Sequence, residues 1–426
     1  MDFILRGHIV YNKSPKTLNV LESGYLVCEM GISKGAYKDF EDIPRKYYHY
    51  HVIDYGNKII VPGLVDLHTH APQYTFRGVG MDLELLDWLN THTFPEESKY
   101  VDVEYADKAY SQFAQGLKES ATSRAVIFGT IHNPATCLLM DKMERTGVVS
   151  YVGKVNMDRN SPDYLIEESP CKSLENTEKW IDETKEKYLR TKPIITPRFM
   201  PSCSDMLMKG LGELQRKHRI PVQSHISESK EEIAWVKKLC PTATSYGDAY
   251  DRYGLFGGEG VPTIMAHCVW SEGEEEILLK ERGVYVAHCP GSNTNLASGI
   301  APIRRFMDKG INVGLGTDVA GGSHISVFRA MSDAIQSSKM YWRLIDQQAL
   351  PITVSEALYL ATIGGGSFFG NVGSFDDGYE FDAIVVDDSD IETVKELTIE
   401  ERLERIMYLS SDCSLYAKYV QGRLIR

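Results

Sequence analysis

Two histidines separated by one residue, His68 and His70, end the apolar run that begins at Val61. In a β-strand, residues i and i+2 point to the same face, so both imidazoles can reach one point. Neutral imidazole is a common ligand of transition metals. A lone His-x-His pair is more often two surface histidines at a strand end. The rest of the chain decides between these two interpretations.

Further residues of metal-binding type follow the ends of other predicted strands: His225, Glu228, His267 and Asp318. His68, His70 and His225 offer three nitrogens, and Asp318 offers one carboxylate oxygen. This set suits a divalent zinc that keeps one position open for water, whose pKa it lowers to about 7. Each residue alone has an ordinary structural explanation, such as a strand-end histidine or a helix cap. Together, at the ends of separate strands, they predict a metal site.

The middle of the chain alternates apolar, β-rich runs with helical patterns, which is typical of an α/β fold. Eight strands are predicted to end near His68, Thr130, Val155, Phe199, His225, His267, His288 and Asp318. The helical patterns between them include Val101–Ser120, Leu174–Leu189, Lys230–Leu239, Glu272–Arg282 and Ile325–Ser338. Eight such units favour a barrel, in which catalytic residues lie at the carboxyl ends of the strands.

Both ends of the chain carry short apolar runs bounded by turns. The segment up to about residue 60 predicts a few antiparallel strands, with a charged connection over Lys34–Lys46. Residues 373–387 predict a strand pair, and Tyr416–Ile425 a further strand. Because the ends of a domain commonly lie close together, we expect the two termini to meet in one small β-domain.

The composition excludes several classes of partner. A formal charge of −13 over 426 residues disfavours nucleic acid, whose binding relies on Lys and Arg. No apolar run approaches the roughly 20 residues of a membrane span, and the first residues do not resemble a secretory peptide. We therefore expect a cytoplasmic protein that acts on a small molecule.

The eight cysteines never form a Cys-x-x-Cys pair, which argues against a zinc ribbon or a thioredoxin-like site. Cys268 and Cys289 each follow a histidine directly. Neighbours on a strand point to opposite faces, so these two are predicted to be core residues.

Several of these strings resemble the amidohydrolase superfamily: Pro62-Gly63-Leu64-Val65-Asp66-Leu67-His68-Thr69-His70, His225 with Glu228, His267, and Gly316-Thr317-Asp318. Three more are similar to its guanine deaminase branch: His70-Ala71-Pro72-Gln73-Tyr74, Thr196-Pro197-Arg198-Phe199 and Gln223-Ser224-His225-Ile226-Ser227-Glu228. Many two-metal members carry a carboxylated lysine at the end of strand four. Arg198 and Phe199 stand there in this chain, and arginine cannot replace that bridge because it offers no acceptor. The resemblance therefore implies one metal ion per subunit, zinc or else iron.

The resemblance also implies a fold and a reaction. The fold is a (β/α)8 TIM-type barrel over residues 63–369, with a small β-sandwich built from residues 1–62 and 370–426. The reaction is the hydrolytic deamination of guanine to xanthine and ammonia in purine catabolism, carried out by a homodimer.

The expected roles of the site residues follow from the same resemblance. Metal ligands are His68, His70, His225 and Asp318. Catalytic residues are Glu228, which moves a proton from water to the ring, His267 and Asp318. Substrate contacts are Gln73, Arg198, Phe199, His225, Glu228 and Asp318. The Arg198 donor fork would pair with guanine O6 and N7, Gln73 can both donate and accept, and Phe199 would lie against the purine face.

Two alternatives stay open at this point. A related deaminase or hydrolase acting on another purine, a nucleoside or a triazine would share the same metal ligands. A non-catalytic scaffold with the same fold is the second alternative, and it would carry no stoichiometric metal.

Overall fold

The computed structural model describes residues 2–258, 260–409 and 415–426, so that Cys413 lies outside the described residues. Its strands are β1 (Phe3–Ser14), β2 (Thr17–Glu29), β3 (Ile32–Tyr37), β4 (His51–Pro62), β5 (Leu64–His70), β6 (Thr122–Phe128), β7 (Val149–Gly153), β8 (Val155–Asn156), β9 (Thr191–Pro193), β10 (Thr196–Pro197), β11 (Val222–Ile226), β12 (Thr263–His267), β13 (Tyr285–His288), β14 (Asn312–Leu315), β15 (Ala383–Val386), β16 (Leu415–Val420) and β17 (Arg423–Leu424).

The α-helices are α1 (Leu85–Trp88), α2 (Phe94–Ser98), α3 (Val103–Glu119), α4 (Asn133–Thr146), α5 (Pro170–Thr184), α6 (Asp205–His218), α7 (Lys230–Leu239), α8 (Tyr246–Asp251), α9 (Glu274–Glu281), α10 (Pro290–Asn295), α11 (Ile303–Asp308), α12 (Val327–Leu344), α13 (Val354–Tyr359) and α14 (Ile399–Leu409). Shorter 3₁₀ or π turns span Phe40–Asp42, Arg45–Tyr47, Ala71–Phe76, Leu89–Thr93, Lys99–Val101, Met200–Ser202 and Leu360–Gly364. No helix within the described ranges is long and apolar enough to cross a bilayer.

The central strands form two parallel four-stranded sheets, in the orders β5-β6-β7-β9 and β11-β12-β13-β14. A further parallel pair joins β8 and β10. The strand bodies are apolar and buried, as in β6, where Ala125, Val126, Ile127 and Phe128 have no exposed surface. Strands of parallel sheets are apolar along their whole length because both faces of such a sheet are buried. The predicted α/β class is confirmed.

Backbone contacts connect the two parallel sheets on both sides. Isolated parallel bridges join Ile195 to Val222 and Phe199 to His225. On the other side, the Asp318 N–H donates to the His68 carbonyl at 2.8 Å, and the His70 N–H donates to the Val319 carbonyl at 3.0 Å. The carboxyl ends of β5, β11, β12 and β14 therefore lie close together.

Strands from both ends of the chain share one seven-stranded sheet, in the order β17-β16-β15-β4-β1-β2-β3. The expectation that the termini meet is confirmed, but two details were wrong. β1 pairs with β4 in parallel, with Phe3 opposite His51, and β2, β3 and two 3₁₀ turns lie between them in the chain. Residues 373–387 contain the single strand β15 instead of a strand pair.

Part of the predicted charged connection over Lys34–Lys46 is instead the strand β3. It pairs with β2 through a tight turn at Met30 and Gly31, whose φ angles are 53° and 81°. Two consecutive positive φ values produce the hairpin turn that matches strand twist, and methionine is an unusual residue there. The sequence pattern therefore missed the hairpin.

A buried ionic cluster fixes the terminal sheet to the central strands. Arg124 on β6 is 1% exposed, and it donates to Asp382 at 2.6 Å and to Glu380 at 2.8 Å. The Gln421 N–H also donates to Asp382, at 2.8 Å. A buried guanidinium needs such acceptors, so this cluster specifies how the two parts of the chain meet.

Candidate active site

The four predicted metal ligands meet at one point. His70 Nε2 lies 3.3 Å from His68 Nε2 and 3.2 Å from His225 Nε2. Asp318 Oδ1 lies 3.1 Å from His68 Nε2 and 3.5 Å from His70 Nε2. His68, His70 and Asp318 are buried, and His225 is partly buried at the wall of a pocket. Within the described ranges, two groups of three side chains have ligand atoms close enough to share an ion: His68 with His225 and His267, and His68 with Cys289 and Asp318.

The spacing of these donor atoms fits a small divalent cation. The four donor separations of 3.1–3.5 Å are short enough for one ion to bind these atoms at the usual Zn–N and Zn–O distances of about 2.0–2.2 Å. Burial lowers the pKa of His68, and it lowers those of His70 and His225 well below the usual value. The neutral imidazoles then direct their lone pairs at one another, an arrangement that a cation stabilises.

Hydrogen bonds behind the ligands hold their orientation. His225 Nδ1 lies 2.5 Å from the Arg198 carbonyl, which can only accept, so the proton is on Nδ1 and Nε2 is free to bind a metal. Buried Asp66 accepts from the N–H of His68 at 3.2 Å and from the N–H of Thr317 at 3.0 Å. It thereby ties the ligand pair of β5 to the residue before Asp318.

Glu228 and His267 lie beside the ligand cluster. Glu228 Oε2 is 3.4 Å from His267 Nε2, and Ser298 Oγ donates to Glu228 Oε1 at 3.0 Å. His267 Nδ1 donates to the Asn293 amide oxygen at 2.9 Å, and His267 Nε2 lies 3.8 Å from Asp318 Oδ2. The orientation of both functional groups is therefore set by neutral hydrogen-bond partners.

Burial and neighbouring charges determine which of these groups carry a proton. Burial raises the pKa of Glu228 to about 7. Burial opposes the charged form of His267, but the carboxylates of Glu228 and Asp318 outweigh it and raise its pKa. Burial likewise opposes ionisation of Asp318, yet His68 and His267 hold its pKa below the usual value. A carboxyl group with a pKa near neutrality suits proton transfer, while Asp318 stays ionised.

The backbone is in the left-handed region where two of these side chains enter the site. His267 has φ 76° and Asp318 has φ 46°. Such conformations cost a non-glycine residue about 1 kcal/mol or more, and they persist where the surrounding structure enforces them. They turn the chain sharply at the ends of β12 and β14, which brings His267 and Asp318 to the cluster.

A narrow pocket opens onto the ligand cluster. Its polar lining is His70, Gln73, Arg198, His225, Glu228, Glu232, His267 and Asp318, and its apolar lining is Leu85, Trp88, Leu89, Phe199 and Leu296. Every predicted substrate contact is therefore a pocket residue. Apolar walls with a few polar groups are typical of a site for a flat organic ring.

The two cysteines that follow histidines are core residues, as predicted. Cys268 and Cys289 have no exposed surface. The sulfur of Cys289 lies near His68 and Asp318, but burial raises the pKa of its thiol well above the usual value. It therefore stays protonated and is not a candidate nucleophile.

The residues around the site that the sequence analysis missed include Asp66, Glu97 and Ser298. Asp66 had a readable signal, because it is a charged residue inside the apolar run of β5. Glu97, on α2, and Ser298, in the loop after α10, had none, because their contacts join segments far apart in the sequence.

Comparisons with known proteins define the class of this protein. The model of the amidohydrolase family matches residues 59–425. The chain belongs to the amidohydrolase family.

Within that family, the similarity is to guanine deaminases. The guanine deaminase of Dictyostelium discoideum is 38% identical over 383 residues, which cover 88% of this chain and 84% of that protein. The probable guanine deaminase of Schizosaccharomyces pombe is 39% identical over 437 residues, which cover 99% of this chain and 79% of that protein. The crystal structure of guanine deaminase from C. acetobutylicum, with guanine bound in its active site, superposes with a TM-score of 0.96 at 45% identity, covering all of both chains.

Proposed function

We propose that this protein is a zinc-dependent guanine deaminase, which hydrolyses guanine to xanthine and ammonia. The observation that carries the proposal is a cluster of four donors, three imidazole nitrogens and one carboxylate oxygen, that borders a narrow pocket. The similarity to guanine deaminases over nearly the whole chain supports the choice of substrate.

We assign the metal to His68, His70, His225 and Asp318, with one ion per subunit. When bound, a divalent ion would lower the pKa of a water molecule at its open position and so supply hydroxide at neutral pH. Iron(II) accepts the same ligands, and elemental analysis of the purified protein distinguishes it from zinc.

Glu228 is proposed as the general acid and base. It takes a proton from the attacking water and delivers it to ring N3, which makes C2 electrophilic. Its pKa near 7 allows both steps. His267, whose Nδ1 is held by Asn293, donates from Nε2 to the oxygen that adds to C2. Asp318 accepts the remaining proton of the water and passes it to the amino nitrogen. The C2–N bond then breaks, ammonia leaves and xanthine remains.

Arg198, Gln73 and Phe199 are proposed to recognise the base. The Arg198 fork donates to O6 and N7 of guanine, an edge that adenine lacks because its amino group is a donor. Phe199 is nearly buried, with its ring edge-on to Trp235 at 6.0 Å, and it packs against the purine. Gln73 supplies a further hydrogen bond to the base.

We further propose that the two parallel sheets close into a (β/α)8 barrel over residues 63–369. The bridges between Phe199 and His225 and the bonds between β5 and the residues after β14 support closure. Residues 1–62 and 370–426 would form the β-sandwich. A cytoplasmic homodimer acting in purine catabolism stays a prediction, and sedimentation of the purified protein tests its oligomeric state.

Ammonia release from guanine, before and after chelation and after zinc is restored, tests the proposal. We expect turnover that requires the metal. A parallel panel of adenine, adenosine and a triazine tests the nearest alternative, since preference for any of these over guanine would contradict the proposed substrate. Purified protein without stoichiometric metal and without activity would instead identify a scaffold.

A further inference from the structure

Glu97 lies behind the substrate pocket without lining it. It is on α2, it is 2% exposed, and its carboxylate receives hydrogen bonds from two pocket residues. Arg198 Nη1 donates to Glu97 Oε2 at 2.5 Å, and Arg198 Nη2 donates to Glu97 Oε1 at 3.2 Å. Gln73 Nε2 donates to Glu97 Oε1 at 2.9 Å. One buried carboxylate therefore holds both of the side chains assigned to base recognition.

The same helix fixes the plane of the Arg198 guanidinium. Phe94, at the start of α2, has its ring centre 5.0 Å from Arg198 Cζ. A cation over an aromatic face and a two-point bond to a carboxylate are complementary restraints, one on the plane and one on the rotation of the guanidinium. Glu97 is also the one carboxylate that forms an ion pair with Arg198 among the described residues.

A count of hydrogens shows what the pocket has left for a ligand. The Gln73 oxygen accepts from the Ala320 N–H at 3.1 Å, and one Gln73 amide hydrogen is bonded to Glu97. The second amide hydrogen is left for a ligand, while the oxygen already has one partner. Arg198 has five N–H groups and uses two on Glu97, which leaves three donors and no acceptor.

The two contacts of Gln73 also fix which way its amide points. Rotating its amide by half a turn would place N–H against the Ala320 N–H and oxygen against the Glu97 carboxylate. Both contacts would be repulsive, so the negative charge of Glu97 locks the amide in the donating orientation. Arg198 therefore presents only donors to a ligand, and Gln73 presents one amide hydrogen in a fixed orientation.

We propose that Glu97 is a positioning residue that determines specificity: through Arg198 and Gln73 it makes the pocket select a purine edge that carries acceptors and reject one that carries an amino group. This inference rests on the proposed function. It extends that function by assigning the selectivity to a residue that does not touch the substrate.

The variant Glu97→Gln tests the proposal because it keeps the shape of the side chain and removes its charge. A neutral amide must direct an N–H at Arg198 or at Gln73, so one of them is displaced or reversed. We measure KM and kcat for guanine and the inhibition constant of 2,6-diaminopurine, which carries an amino group in place of O6. KM for guanine should rise about 10- to 100-fold, the effect of losing charge-assisted hydrogen bonds, with a smaller change in kcat. Binding of 2,6-diaminopurine should weaken less or improve.

Glu96→Gln is the matched control. Glu96 is the preceding residue on the same helix, but its carboxylate binds Lys99 at 2.7 Å, Thr75 at 3.2 Å and Tyr105, none of which lines the pocket. This variant should keep the kinetic constants of the unmodified enzyme. Glu97→Asp keeps the charge but shortens the reach, and it serves if Glu97→Gln does not fold. It should shift selectivity in the same direction by a smaller factor.

An unchanged guanine KM in Glu97→Gln would overturn the proposal, and so would an equal loss for guanine and 2,6-diaminopurine, which indicates a structural role. If the unmodified protein does not deaminate guanine, the proposed function fails by itself. A crystal structure of the Glu97→Gln variant then tests the positioning role, and unchanged positions of the Arg198 guanidinium and the Gln73 amide would reject it.

Discussion

Replacing Arg198 by methionine tests the buried ion pair and the recognition of the base in one variant. Methionine has a similar length but offers no donor and no charge. The change leaves the Glu97 carboxylate buried, with the Gln73 amide as its remaining side-chain donor in the pocket wall. It also removes the donors proposed to bind guanine O6 and N7.

The structure gives the size of both effects. The side chains of Arg198 and Glu97 are 4% and 3% exposed, and removing one member of a buried ion pair costs about 3–5 kcal/mol. For 426 residues the entropy of unfolding is about 0.9 kcal/mol per kelvin, so Tm should fall by about 3–5 °C. Loss of charge-assisted hydrogen bonds, worth about 1.5–3 kcal/mol, should raise KM for guanine about 10- to 150-fold.

The double variant Arg198→Met/Glu97→Leu separates the two effects. It leaves no unpaired charge, so Tm should return toward that of the unmodified protein, whereas KM for guanine should stay high. Thermal unfolding, steady-state kinetics and metal analysis of the three proteins provide the data, with equal zinc content expected throughout.

Two results would refute the reasoning. An unchanged Tm in the single variant would mean that the pair contributes no desolvated charge to the folded state. Recovery of a low KM in the double variant would mean that Arg198 does not contact the base.

Four further outcomes are expected. Glu228→Gln should lower kcat about 10²- to 10⁴-fold with full metal content, and a smaller loss would contradict its role in proton transfer. His70→Ala should lower the zinc content, measured by elemental analysis, because it removes one of the four donors. Arg124→Met should lower Tm by about 3–5 °C because it leaves the buried Asp382 carboxylate without its arginine partner, and guanine turnover at 25 °C should persist. Stability should fall as the pH drops from about 6.5 to about 3, because burial holds the pKa of folded His288 at about 3 while the unfolded residue binds a proton at 6.5. His288→Gln should reduce that slope in urea unfolding measured against pH, and an unchanged slope would contradict this assignment.

Helices that carry start and stop signals in the sequence could be predicted from it. The helix predicted over Lys230–Leu239 has the same bounds in the structure, where Ser229 caps it by accepting from the Glu232 N–H at 3.1 Å. The helix predicted over Leu174–Leu189 instead spans Pro170–Thr184. Ser169 caps that helix and Pro170 occupies its first turn, so the start signal was present but was not used.

The residues of the candidate site also differ in whether a local sequence signal predicts them. His68, His70, His225, His267 and Asp318 could be selected because each follows an apolar strand, and parallel strands bring their carboxyl ends together. The partner of Arg198 could not be found, because Glu97 precedes it by 101 residues. Two adjacent acids in the first turn of a helix also favour a solvated position near the positive end of its dipole. Only the tertiary fold turns one of them toward the pocket.

Arg198 serves the site through two different parts of the residue. Its carbonyl orients His225, while its side chain lines the pocket, and any amino acid supplies that carbonyl. Redesign at position 198, together with position 97, can therefore exchange the ligand preference of the pocket while the support of the metal ligand is left untouched. This makes the pair a practical starting point for directing the same hydrolytic centre toward other amino-substituted heterocycles.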